Sequence, residues 1–158
     1  MSQRTVRLLG PLPLLLVLAA CGREGTPTQP SPTRSFLEGS WTGNLVIVRE
    51  GLPTTSGAVS WTFESVSGTN QQTFRVTIQS QHPWLPITTT VTSAITPSNQ
   101  PPARISTQGN YPSPRGCTGS LLSVGNAEAR SIDADFSGVD CLAPEGSSFT
   151  GRVTLTKN

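Results

Sequence analysis

From Phe36 onward, apolar and polar residues alternate in short runs, and no stretch sustains the 3.6-residue apolar spacing of a helix. Val59, Trp61 and Phe63 alternate with Ser60 and Thr62, and Phe74, Val76 and Ile78 with Arg75 and Thr77. Later, Asp133 and Asp135 separate Ile132, Ala134 and Phe136, while Thr150, Arg152 and Thr154 separate Phe149, Gly151, Val153 and Leu155. A period of two puts the members of each set on opposite faces of a strand. One dry face and one wet face is the mark of antiparallel sheet.

The pattern predicts eight strands, at about 40–49, 58–66, 73–80, 87–95, 103–108, 117–124, 131–138 and 147–156. Connectors such as Ser67-Gly68-Thr69-Asn70 and Pro144-Glu145-Gly146 are short and rich in turn residues, as a meander needs. The expectation for 36–158 is therefore one all-β domain, a small soluble barrel of about eight antiparallel strands, with a β-sandwich as the alternative. A transmembrane barrel is disfavoured, because its outward positions would be apolar and here they are mostly Thr, Ser and charged residues.

Trp41, Trp61, Phe63, Phe74, Phe136 and Phe149 fall on the dry faces and are the expected interior. Small barrels usually fill with such side chains. The alternative is that Gly43, Ala134 and Gly151 leave room beside the aromatics, in which case the same six are the candidate lining of a site for one apolar ligand.

The N-terminus carries separate information. Residues 1–20 place Arg4 and Arg7 before an apolar run of about 13 residues, Leu8 to Ala20, interrupted by Pro11 and Pro13. A helix crossing a bilayer needs about 20 apolar residues. A basic start, a short apolar middle and small residues at the end are those of a secretory signal. Leu18-Ala19-Ala20-Cys21 resembles the lipobox of bacterial lipoproteins. That resemblance implies cleavage before Cys21 and lipidation of its thiol, and the acyl chains would hold the protein on a membrane. In that family an Asp after the Cys favours retention at the inner membrane, so with Gly22 there the resemblance implies the outer membrane, in an organism that has one. Residues 21–35 then form a linker with Pro27, Pro30 and Pro32 and almost nothing apolar, too polar to offset its ordering entropy.

Charge narrows the partners. The chain has 11 Lys and Arg against 9 Asp and Glu, but Arg4 and Arg7 belong to the signal, so residues 21–158 carry nine of each sign. A neutral protein lacks the surplus cations that displace counterions from nucleic acid.

With Cys21 lipidated, Cys117 and Cys141 remain as a pair in an oxidising compartment and are expected to form a disulfide at the outer ends of the sixth and seventh strands. Two Cys without a nearby His make a poor zinc set. No Trp lies between them, so the immunoglobulin arrangement is absent.

Gly39-Ser40-Trp41 and the late Arg152 are similar to the start and end of lipocalins and related small barrels. That resemblance implies Arg152 packed over Trp41 at the closed end. The second and third lipocalin motifs are not evident.

Catalytic constellations are few. His82, the sole His, sits in Gln81-His82-Pro83-Trp84-Leu85-Pro86 without a Gly-x-Ser-x-Gly elbow. The two prolines make this a loop, and Trp84 and Leu85 are expected to form an apolar tip, against the rim or toward a partner. Asp133 to Asp140 superficially follows an EF-hand loop, but Pro144 replaces its final bidentate Glu. Glu38, Glu50, Glu64 and Glu145 are scattered, with nothing to single out a catalytic pair. The chain is accordingly expected to be no enzyme and to need no cofactor or metal. It reads as a membrane-anchored extracytoplasmic lipoprotein whose barrel binds a small hydrophobic ligand, or alternatively as a structural or protein-interaction module of the cell envelope.

Overall fold

A computed structural model describes residues 35–66, 72–96, 100–141 and 147–158. The expected signal, Cys21, most of the expected linker, residues 97–99 and the expected connectors Ser67–Asn70 and Pro144–Gly146 lie outside the described residues. Eight strands follow in chain order: β1 (Gly39–Val48), β2 (Thr55–Ser65), β3 (Thr73–Ser80), β4 (Thr88–Thr96), β5 (Ala103–Pro112), β6 (Thr118–Ala127), β7 (Ser131–Asp140) and β8 (Ser147–Lys157). Each pairs antiparallel with the next, and β8 returns to β1, so the sheet closes into a barrel without a free edge. The expected class is the observed one, and closure decides between barrel and sandwich.

Alternation dictates the wall. In β4, Thr89, Val91, Ser93 and Ile95 are buried while Thr88, Thr90, Thr92, Ala94 and Thr96 are exposed. β7 buries Ile132, Ala134 and Phe136 and exposes Asp133 and Asp135. The outer face is thus dominated by hydroxyls and charges, with Val48, Leu52 and Leu122 as its exposed large apolar residues. Lipid-facing barrels carry the opposite pattern.

β5, β6 and β7 run past their expected ends, to Pro112, Ala127 and Asp140, and β2 starts ahead of its expected start, at Thr55. Gly109-Asn110 and Gly125-Asn126 have turn composition, yet the ladder continues through them, Gly109 opposite Leu121 and Gly125 opposite Ala134. Pro112 is tolerated because it ends its strand, where a missing N–H costs little.

Two glycines make the β1–β8 closure possible. A Cβ on Gly43 would lie 1.9 Å from the Thr154 carbonyl oxygen, and one on Gly151 would lie 1.9 Å from that of Val46. Backbone of the neighbouring strand occupies the space a side chain would need, as expected where a small barrel bends sharply. This corrects the expectation that Gly43 and Gly151 leave room for a ligand: neighbouring main chain fills that room.

Candidate ligand-binding interior and its Trp84 cap

The aromatics expected inside are all buried, and they gather into two groups. Phe63 is the hub of the first, with Trp41 at 6.3 Å, Trp61 at 6.0 Å and Phe74 at 6.1 Å between ring centres. The contacts to Trp41 and Phe74 are edge-to-face, the arrangement ring quadrupoles favour. Phe136 and Phe149 form the second group, stacked at 5.8 Å.

The first group is closed from below by the chain's entry into β1. Leu37 is fully buried, and the Trp41 indole N–H donates to its carbonyl at 2.8 Å. The cation above Trp41 is Lys157, its Nζ 5.4 Å from the ring centre and donating to the Phe36 carbonyl. Arg152 does not take this position, which corrects the lipocalin-based expectation. Its register partners are Val46 and Asp135 on the outer wall, and it forms a two-point ion pair with Asp133. That bond holds the Asp133 carboxyl below the usual carboxylate range, against a smaller opposing effect of burial.

The second group is covered by the His82–Leu85 loop. The Gln81 N–H donates to the Ala58 carbonyl at 2.9 Å, and the Ser80 N–H to that of Ile87 at 2.8 Å, so both ends of the loop are pinned to the barrel. His82 is fully buried against Gly57, where a Cβ would stand 2.4 Å from the His82 Cα. Its Nδ1 accepts from the Trp84 N–H at 3.1 Å, and the Leu85 N–H donates to the His82 carbonyl at 3.1 Å. This tight turn drives Leu85 inward to full burial rather than to an exposed tip. Trp84 remains half-buried, its ring 5.2 Å from Phe149.

Two arginines bracket that indole, Arg49 at 4.2 Å and Arg115 at 4.8 Å from its centre. Arg115 also pairs with Asp140, whose carboxylate accepts from the Tyr111 hydroxyl at 3.0 Å. Asp140 is 1% exposed, so its charge needs both partners. Burial pushes the Tyr111 hydroxyl up to about 12, opposed by the Arg115 charge. Cys117 and Cys141 form a disulfide beside this cluster, Cα atoms 5.2 Å apart. They approach Asp140 as a metal set would, but as a disulfide they are no thiolate ligands.

A solved structure, that of EF1p2_mFAP2b bound to DFHBI, shares this architecture. The TM-score is 0.52 at 16% identity, over 78% of this chain and 94% of that one. The likeness is one of fold. No protein-family model matches the sequence, and no curated protein matches it.

Arg49, Tyr111, Arg115 and Asp140 were not among the expected site residues. Tyr111 and Asp140 lie 29 residues apart, and only the extended β5 and β7 carry both to one end of the barrel. Ser93, Thr107 and Ser123, buried among apolar neighbours, are a second omission. Their signal was present, since each occupies an inward parity, but Ser and Thr read as wet-face residues without the register.

Proposed function

We propose that this chain is a non-catalytic carrier or sensor, holding one small hydrophobic ligand in its barrel and tethered on the extracytoplasmic side to a bacterial membrane through lipidated Cys21. The observation that carries the ligand reading is a closed barrel whose inward face is aromatic, from Trp41 through Phe63 to Phe74, with a second aromatic group beneath the Trp84 loop. The fold is shared with a protein bound to DFHBI, which supports the same reading. Apolar walls supply affinity by area, at about 25 cal/mol per Å², and such interiors are where small barrels take ligands.

Native mass spectrometry of gently purified protein tests the ligand. A bound small molecule is expected, and a mass equal to the bare chain after direct challenge with apolar compounds would overturn the reading. The tether is tested separately by Cys21→Ser, which should move the protein from the membrane to the soluble fraction.

The alternative, an interaction module, draws on the outer wall. Leu122, Ser137, Thr150 and Val48 form one rung across β6, β7, β8 and β1, with exposed Leu122 and Val48 at its ends. Two shallow depressions of the outer surface, open to solvent, meet at Ser137 and Thr150. Serine at both Leu122 and Val48 would abolish association with an envelope protein under this reading while sparing ligand binding.

A further inference from the structure

The interior is not uniformly apolar. Ser93 on β4 stands opposite Thr107 on β5, and Thr107 opposite Ser123 on β6, so three hydroxyls share one inward rung. All three are 0% exposed, and Val91, Ile95, Ile105 and Leu121 on the same strands are buried beside them. Thr107 donates to Ser93 Oγ at 2.9 Å. Ser123 Oγ has no hydrogen-bond partner among the described residues. Neither does the indole Nε1 of Trp61, also 0% exposed. Trp61 is on β2, four strands from β6 in either direction round the closed barrel, so the two atoms belong to opposite walls.

A buried donor left unpaired costs about 1–3 kcal/mol. His82 Nε2 and Trp84 Nε1 in the Trp84 loop also lack partners among the described residues, but Trp61 and Ser123 lie at inward strand positions, where the chain itself supplies neither with an acceptor. The Trp61 N–H can only donate, whereas the Ser123 hydroxyl can donate or accept. The missing group must therefore accept, and one oxygen with two lone pairs serves both. It must also be neutral. Among the described residues the buried set includes no Lys or Arg; its one acid, Asp140, is already paired with Arg115 at the Trp84 end, and its one imidazole, His82, belongs to the Trp84 loop, where Nδ1 accepts from the Trp84 N–H. A carboxylate or phosphate at the hydroxyl rung would be an uncompensated buried charge.

We infer that the barrel recognises its ligand through one neutral oxygen, that of a ketone, ester or alcohol, held between Trp61 Nε1 and Ser123 Oγ, with the rest of the molecule apolar. This rests on the interior-binding reading above and adds the chemical class.

Three probes of matched length test it on the full chain: methyl decyl ketone, dodecane and lauric acid at neutral pH. Binding is followed by calorimetry and by the indole N–H resonance of Trp61 in NMR spectra. The ketone should bind roughly tenfold more tightly than dodecane, a difference of about 1.4 kcal/mol, and should shift the Trp61 resonance. Lauric acid should bind more weakly than the ketone. Ser123→Ala should remove most of the ketone's advantage and leave dodecane unchanged. The wild-type series decides the matter even if that variant folds poorly.

Dodecane binding as tightly as the ketone, or a ketone that leaves the Trp61 resonance unmoved because ordered water satisfies both atoms, overturns the neutral-oxygen inference and leaves the carrier reading intact. Tightest binding by lauric acid overturns neutrality. Failure of all three to bind overturns both.

Discussion

Lys157 caps Trp41: the ammonium of the last strand stands 5.4 Å from the indole centre of the first and donates to the Phe36 carbonyl beneath it. The two residues are register partners across the β1–β8 seam, so this contact fastens both ends of the domain at once.

Lys157→Met keeps the aliphatic stem and removes the charge. The loss of a cation–π contact and a charge-assisted hydrogen bond should destabilise the barrel by about 1–3 kcal/mol, read as a lower melting temperature. Arg152→Gln, on the outer wall, should leave the melting temperature nearly unchanged, because its ion pair with Asp133 is solvent-screened. Equal effects of the two substitutions would contradict this assignment.

The difference between these basic residues was legible in the sequence. The parity that places Val153 and Leu155 inside also places Lys157 inside and Arg152 outside. The lipocalin resemblance drew attention to an Arg where alternation alone would have selected the Lys. The eight strands were legible for the same reason, since a period of two survives weak local propensity. Strand ends were not: Gly109-Asn110 and Gly125-Asn126 carry turn chemistry, and only cross-strand pairing shows that the ladder passes through them. The two-arginine clamp on Trp84 was hidden because Arg49 and Arg115 lie on separate loops that closure brings together.

Gly43→Ala tests the seam from its backbone side. The new methyl would meet the Thr154 carbonyl oxygen and Leu155 Cα, neither of which can rotate away. A loss of about 3 kcal/mol is expected in denaturant unfolding, at the upper end of overpacking costs. Leu122→Ala, at an exposed outer-wall position, should stay within about 0.5 kcal/mol of the parent.

Replacing Cys117 and Cys141 together by Ser removes a link closing 25 residues. The chain-entropy relation gives about 3.5 kcal/mol for a loop of that length. The Trp84 fluorescence environment should change as well, since Arg115 precedes Cys117 by two residues and Asp140 adjoins Cys141. Titration of the native protein with a thiol reagent should find neither residue reactive.

Tyr111 is the only tyrosine, so the phenolate absorbance of the folded protein reports on it alone. Its folded value of about 12 exceeds the ordinary 10.0. The stabilisation tied to this proton is complete below pH 10 and is lost as pH climbs through 12, because over that window the unfolded chain releases a proton that the folded chain retains. Arg115→Gln should move the titration higher, since the guanidinium favours the phenolate. A midpoint near the ordinary value in the folded protein would refute the buried Tyr111–Asp140 arrangement.

The pairing of the first strand with the last also fixes an order of assembly. Synthesis delivers β1 long before β8, so until the chain is finished the earliest hairpins stand with a bare margin of amides and carbonyls and an uncapped indole. Only the arrival of the final eleven-residue strand seals that margin. A truncation of even a few C-terminal residues would thus leave an adhesive ribbon, prone to join with its own copies.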